Sequence, residues 1–539
     1  MKRRVSVCFM AALLIMTALS GCTGGTGESS EDKSSKESTV AESSQSAEAS
    51  QSTEAAVAGE PVYGGKVVVG IQQDMDSLDP HKATAAGTKE ILFNIFEGLL
   101  KPDPNGNLMN AVASDYSVSE DGLTYTFTLR EGVKFHNGNP VTAEDVKYSL
   151  DRVSGLLDGT ALISTLSADK GGITSVDILD DKTVQVSVGS ANLELIYSFT
   201  AAIIPAGSGE DEAAQPIGTG PFSFVSYKPQ EGIVVKKNAD YWQEGLPYLD
   251  EVDFKIVNSA DTALLELKGG SIDIYPYLTD SQATELADSM QVLAAPSNVV
   301  QALFLNNADD TLKDARVRQA ICYALDKDSV NEFVFGGNGA IVSAAMLPTM
   351  QSYYVDLNDV YGTGANTAKA KELLTEAGFP DGINFEIKVP ANYEVHMQTA
   401  EVIADQLNAA NIHTTIVPVE WETWLNDVYN GRKYQGTISG ITTDLTPGYL
   451  LNRFQTESSK NFINYANPAF DETYAKAAAS LDLAEKATYY KELQRLMAED
   501  AGTAFISVPP ITVAIKQELA GYTFYPIYVQ DMSVVYYTK

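Results

Sequence analysis

Between Thr23 and Glu60 the chain has no aromatic residue; seven Glu, one Asp and two Lys are set among Ser, Ala and Gly. A segment like this cannot bury enough apolar area to offset the entropy of ordering it, so it is expected to stay disordered. Random-coil scaling gives such a spacer a span of roughly 35 Å, stretched further by its negative charge. Folding is left to the stretch from about Pro61 to Lys539, which is long enough for two or three domains.

The residues before the spacer have a different character. Lys2-Arg3-Arg4 precedes an apolar run from Val5 to Leu19, then Leu19-Ser20-Gly21-Cys22. This is the layout of a secretory signal peptide over residues 1–21. The apolar run, at about 15 residues, falls short of the roughly 20 that a membrane-spanning helix needs. Leu19-Ser20-Gly21-Cys22 also resembles the lipobox of bacterial lipoproteins. That resemblance implies a diacylglyceryl thioether on Cys22, and two or more acyl chains give stable attachment to the extracytoplasmic face of the cell membrane. The alternative is an ordinary signal peptide in which Cys22 is incidental.

The body has the composition of a packed globular protein, with 44% hydrophobic and 20% charged residues over the whole chain. Formal net charge is -34, or -37 once Lys2, Arg3 and Arg4 are removed. Such a surface repels nucleic acid and anionic headgroups, which argues against DNA, RNA or polybasic lipid binding. Three cysteines occur, Cys8, Cys22 and Cys322. Only Cys322 lies in the body, so no disulfide is expected there and stability must come from packing. Val317, Ala320, Ile321, Ala324 and Leu325 share a helical face around it, which predicts a buried, inert thiol.

Strand-like and helix-like stretches alternate, as in an α/β protein. Strands are predicted at Lys66 to Ile71, Leu123 to Leu129, Phe222 to Tyr227 and Ile233 to Lys237, with a hairpin over Val176 to Val188 turning at Asp180-Asp181. Thr142-Ala143-Glu144-Asp145 reads as a capping box opening a helix to about Arg152. Further helices are predicted at Asp314 to Val334, Thr367 to Ala377, Val395 to Ala410 and Ala484 to Glu499.

Catalytic signatures are missing from the sequence. It has no G-x-S-x-G elbow, H-E-x-x-H pair, phosphate-binding loop or kinase set. Gly218-Thr219-Gly220 and Gly336-Gly337-Asn338-Gly339 lack the third glycine and βαβ setting of a dinucleotide site and read as turns. His81, His136, His396 and His413 are scattered without metal-ligand spacing. The expectation is a protein that is no enzyme, with no cofactor and no metal.

A set of ordered blocks carries a family likeness. Ser77-Leu78-Asp79-Pro80-His81-Lys82 and Asn94-Ile95-Phe96-Glu97-Gly98-Leu99-Leu100 come first. Leu123 to Gly138 follows, running into Pro140-Val141-Thr142-Ala143-Glu144-Asp145-Val146. Then come Gly218-Thr219-Gly220-Pro221-Phe222, Asn238-Ala239-Asp240-Tyr241-Trp242, Phe304-Leu305-Asn306 and Ala315 to Ala320. Their order and spacing resemble the family 5 extracytoplasmic solute-binding proteins of peptide ABC transporters. The resemblance implies a two-lobed, hinged α/β fold of the periplasmic-binding-protein kind, class II, with an added small domain. Lobe I would comprise 61–97, 216–300 and 506–539, the insert 98–215, and lobe III 301–505, behind a tether at 22–60. It further implies a monomer that closes on a short peptide and passes it to a membrane permease.

In peptide-binding relatives the ligand backbone adds as a strand, and its ammonium pairs with an aspartate downstream of a Glu-Trp. Here Glu420-Trp421 precedes Gly440-Ile441-Thr442-Thr443-Asp444-Leu445-Thr446-Pro447. The resemblance therefore assigns Asp444 to the ammonium, Gly440 and Thr442 to backbone contacts, and Trp421 to an aromatic wall. The family's tyrosine after the aspartate is Leu445 here, and two arginine positions of broad-range oligopeptide binders correspond to Val428 and Ile438. These departures leave a non-peptide solute, such as a sugar, opine or metal chelate, as the alternative, with a surface signalling receptor or enzyme on the same fold further off. Asp444 could equally start a turn, and Trp421 and Trp424 could be core aromatics. The aromatic stretch Tyr522 to Tyr537 is expected to serve strand and surface packing.

Overall fold

Val67, Val69 and Ile71 point the same way along Lys66–Ile71 and are buried, and this strand sits inside the first of three main sheets. The computed structural model describes residues 59–539 except Asn258, so the signal segment, Cys22 and the spacer up to residue 58 lie outside the described residues. Lys66–Ile71 pairs in parallel with Glu251–Ile256 on one side and with Ile274–Tyr275 on the other. Gln291–Pro296 and Pro510–Ile515 extend the sheet at one edge, and Gly232–Lys237 and Phe222–Lys228 at the other, giving seven strands. The strand pair predicted from Phe222 and Ile233 is that outer hairpin, bulged between Val234 and Val235.

The second sheet has six strands, in the order Ala340–Ile341, Thr503–Val508, Val299–Leu305, Gly436–Thr442, Ile383–Pro390 and Ile412–Val419. Leu303 and Leu305 pack into one core with the helices Ala315–Ala324, Thr367–Glu376 and Glu394–Ala409. Val300, Ala302 and Phe304 pack into another with Pro468–Ala479 and Leu483–Glu499. A strand buried on both faces must be apolar at every position, which explains the unbroken Ala302-Leu303-Phe304-Leu305. Cys322 is buried in the first of these cores, and burial pushes its thiol up to about 12, so it is inert.

The predicted helix Asp314 to Val334 is two helices, Ala315–Ala324 and Lys327–Phe335. Asp326 caps the second by accepting from Ser329 N, while its own N–H donates to Gln406 Oε1 and Lys327 N–H donates to Thr363 O. Tertiary partners thus capture the main-chain donors that a continuous helix would use, and apolar periodicity alone cannot reveal them.

The third sheet is antiparallel, in the order Ala113–Val118, Thr124–Leu129, Thr183–Val188 and Ile173–Asp180. Tyr125, Phe127 and Leu129 face its core, against the helix Ala143–Ser154. Thr142 opens that helix with the predicted capping box, accepting from Asp145 N and donating to the Asp145 carboxylate. Asp180 pairs with Thr183, so the hairpin turns at Asp181-Lys182, one residue later than predicted.

Most of the sequence blocks meet where this sheet joins the first. Arg152 makes a two-pronged pair with Asp79 at 3.0 and 2.6 Å and touches His81 Nδ1 at 2.8 Å. Burial works to raise Asp79, but the hydrogen bonds and charge of Arg152 win and hold it below the usual carboxylate range. Glu97 accepts from Lys101, Tyr241 and Trp242 at 3.0, 2.8 and 2.8 Å. His136 Nε2 lies 3.0 Å from Gly220 O, and burial pushes its ring down to about 4, so it is neutral. Gly218 and Gly220 are required by close approach: a Cβ would sit 2.0 Å from Ile95 O at the first and 2.6 Å from Ile95 C at the second.

Two chain crossings join the seven-stranded and six-stranded sheets. Gln291–Pro296 continues into Val299–Leu305, and Thr503–Val508 continues into Pro510–Ile515. They run antiparallel side by side, with Pro296 opposite Pro510 and Gln301 opposite Ser507. Between them the tie is Ser297 N donating to Pro509 O at 2.9 Å.

Candidate ligand-binding cleft

A cavity of about 1030 Å³ opens beside these crossings, walled by residues of both sheets. That is the upper end of ordinary small-molecule pockets, which run about 300–1,000 Å³. Its lining includes the crossing residues Ser297, Asn298 and Pro509, so a bend there changes the width of the cavity.

One wall is the end of Gly436–Thr442. Thr443 N donates to Asn298 O at 2.8 Å and Asn306 N to Gln435 O at 2.9 Å, at the two ends of an unbroken antiparallel register with Val299–Leu305. Antiparallel ladders alternate, so Gly440 and Thr442 turn their main-chain N–H and C=O groups away from Val299–Leu305. On the far side Ile383–Pro390 pairs only with Gly436 and Thr437. The ladder therefore leaves Gly440 and Thr442 without a strand partner, and both line the cavity. Gly440 has no room for a side chain, because a Cβ would lie 2.4 Å from Val299 Cγ1.

Trp421 lines the cavity too, with 38% of its surface exposed. It stacks on buried Trp424 with centroids 5.0 Å apart and planes 6° from parallel, and it meets Tyr393 edge-on at 5.5 Å. Trp424 is a core residue whose Nε1 donates to Thr437 Oγ1 at 2.9 Å. Asp444 stands two residues beyond Thr442 and is not among the lining residues. Its Oδ1 accepts from Thr446 N at 2.8 Å, which is the turn geometry its sequence also allowed. Crowding by surrounding protein and the negative charge of Glu194 raise its carboxyl, against the Thr446 hydrogen bonds, although the side chain retains exposed surface.

The opposite wall was not anticipated. Tyr522, Phe524, Tyr525, Tyr528 and Gln530 line the cavity, in a stretch that joins no sheet. Reading these aromatics as strand packing is thus incorrect for 522–530. Pro526 interrupts any ladder there, and aromatic density without strand alternation was the available signal. Tyr528 lies near the Thr442 side chain, which brings this wall close to the free edge. Glu90 lies in the same cavity on the helix Ala86–Leu92; it accepts from the Tyr277 hydroxyl, and burial pushes its carboxyl up to about 7. Nothing in its local sequence marked it. His396 also lines the cavity and is held neutral by burial, at about 4. Among the described residues no group of His, Cys, Asp or Glu is placed to hold a metal ion, and no helix is long and apolar enough to cross a membrane.

The family model for bacterial extracellular solute-binding proteins, family 5 Middle, matches residues 107–462, well over half of the chain. The chain belongs to this family. Its members are solute-binding proteins of ABC transporters and not enzymes. The glutathione-binding protein GsiB of Pectobacterium atrosepticum is 28% identical over 478 residues, covering 85% of this chain and 91% of the relative. GsiB of Escherichia coli K12 is 27% identical over 482 residues, covering 85% and 92%. Among solved structures, the ABC transporter substrate-binding protein CtaP of Listeria monocytogenes superposes with a TM-score of 0.79 at 23% identity, covering 88% of this chain and all of that one. DppA of Helicobacter pylori, solved with the peptide STSA, gives 0.69 at 24%, covering 89% and 99%. These likenesses establish the family 5 binding-protein architecture, with its α/β sheets joined through strand crossings.

Proposed function

We propose that this family 5 protein captures short peptides outside the cytoplasm and hands them to an ABC permease. In this reading residues 61–97, 216–300 and 506–539 form lobe I, 98–215 the insert and 301–505 lobe III, closing about Ser297-Asn298 and Pro509. Lipid on Cys22 and the spacer to residue 60 would keep the body near its permease at high effective concentration, without fixing its orientation. The observation that carries the peptide assignment is the unpartnered edge at Gly440 and Thr442 inside the cavity. An extended peptide can add there as a strand, taking affinity from main-chain hydrogen bonds while its side chains enter the cavity. Trp421 supplies a flat wall, and Asp444, at the open end of the same edge, is the anchor for the peptide's ammonium. The peptide bound to H. pylori DppA and the peptide nature of glutathione, the ligand named for GsiB, support the same class.

The test is calorimetric titration with free-amine tripeptides and tetrapeptides, their N-acetylated forms, and a panel of sugars, opines and metal chelates. Free-amine peptides are expected to bind, and Asp444→Ala to weaken them about 30-fold, as loss of a desolvated charge partner does, while leaving N-acetylated peptides unaffected. Binding confined to a non-peptide solute would overturn the assignment.

A further inference from the structure

The cavity's charge is one-sided. Five carboxylates line it, Glu90, Asp261, Asp280, Glu285 and Glu394, and no lysine or arginine does. The last four are exposed at the mouth, and Glu285 is already paired with Lys268. Glu90 differs: it is 4% exposed and held from behind by Tyr277, whose backbone takes a φ of 69°, an unusual conformation for an aromatic residue. The Gln530 side chain lies beside the Glu90 carboxyl and works to lower it, against the larger effect of burial. Gln530 is itself only 3% exposed, and its Oε1 has no donor. A buried acceptor left empty costs free energy unless something supplies it. Here two acceptors, one of them ionisable, sit among the residues that line the cavity, and no lysine or arginine lines it with them.

We propose that the solute carries a basic side chain, and that Glu90 and Gln530 Oε1 form the subsite that takes its ammonium or guanidinium. This rests on the peptide reading above and names the kind of peptide. The tyrosines around the subsite offer π faces that favour the same cation, and the acids at the mouth raise the local concentration of cationic solutes. A peptide bearing only acidic side chains would bring negative charge into a cavity without a cation to meet it. The groups facing Glu90 are the phenols of Tyr277, Tyr522 and Tyr528 and the Gln530 amide. All three phenols are raised by burial and stay neutral across the working range. Below neutral pH Glu90 takes up its proton, and the subsite loses the charge that a cation needs.

The experiment is titration of the full-length protein with Ala-Lys-Ala, Ala-norleucine-Ala and Ala-Glu-Ala at pH 8 and pH 5.5, repeated on Glu90→Gln and Gln530→Leu, with cadaverine and agmatine as free cations. The lysine peptide is expected to bind about 30-fold tighter than the norleucine one at pH 8. That ratio should fall severalfold or more at pH 5.5 in the unmodified protein, and to near unity in Glu90→Gln. Equal binding of the three peptides, or a lysine advantage that survives Glu90→Gln, would overturn the subsite and leave the peptide reading intact. Binding of cadaverine or agmatine but of no peptide would overturn the peptide reading and keep the subsite. The unmodified protein's peptide and pH series decide the matter even if a variant fails to fold.

Discussion

Two buried carboxylates divide this molecule into two kinds of polar interior. Asp79, at the joint between the first and third sheets, is fully buried, and Arg152 meets it with two hydrogen bonds. Glu90, in the cavity, is nearly as buried and is met by a neutral partner, the Tyr277 hydroxyl. Burial opposes ionisation in both. At Asp79 a guanidinium reverses the effect and the carboxyl is lowered; at Glu90 nothing does, and it is raised to about 7. A completed pair ties the first and third sheets together, whereas an incomplete one leaves chemistry available to a ligand.

Breaking the completed pair should have the largest effect. Arg152→Met leaves Asp79 charged in the interior without its two-pronged partner, with only the longer 3.6 Å contact to half-exposed Lys82 and the His81 N–H remaining, and urea unfolding is expected to show a loss of about 3–5 kcal/mol. If stability changes by less than one, the contrast between the regions fails.

Glu90→Gln sharpens the other side of the comparison through pH. A carboxyl raised from about 4.5 to about 7 favours the fold when protonated, so its contribution is full below pH 4.5 and is lost as pH climbs through 7. The glutamine variant keeps an acceptor for Tyr277 and carries no charge to bury. Without ligand it should therefore match the unmodified protein near pH 4.5 and exceed it by about 3 kcal/mol at pH 8. A pH-independent difference would show that Glu90 is not held neutral by its surroundings.

The smallest change in stability is expected at Trp421, whose ring is well exposed. Trp421→Ala should shift unfolding by no more than about 1 kcal/mol, yet weaken peptide binding about tenfold by removing one wall. A large stability loss without an affinity change would make it a core residue, as Trp424 is.

Much of the scaffold was legible because it rests on local or short-range rules. The Thr142 capping box, the buried strand at Lys66, the outer hairpin at Phe222 and the apolar face around Cys322 each follow from a few neighbouring residues. The ordered blocks were legible as a family likeness, and tertiary structure showed that most of them serve the joint and not the cavity. At the candidate site, Gly440, Thr442 and Trp421 converge on the cavity, while Asp444 lies just past it in a turn. Glu90 and Gln530 escaped notice because they are separated in the chain by most of its length, and neither sits in a pattern that periodicity or turn chemistry picks out.

By itself the sequence determined the α/β class, the family and the absence of a disulfide framework in the body, since composition, periodicity and block order are properties of the chain. Only the tertiary structure decided where charge is paired and where it is left open. Burial and partner geometry set whether a carboxylate is a strut or a receptor, and both depend on residues brought together from distant parts of the chain.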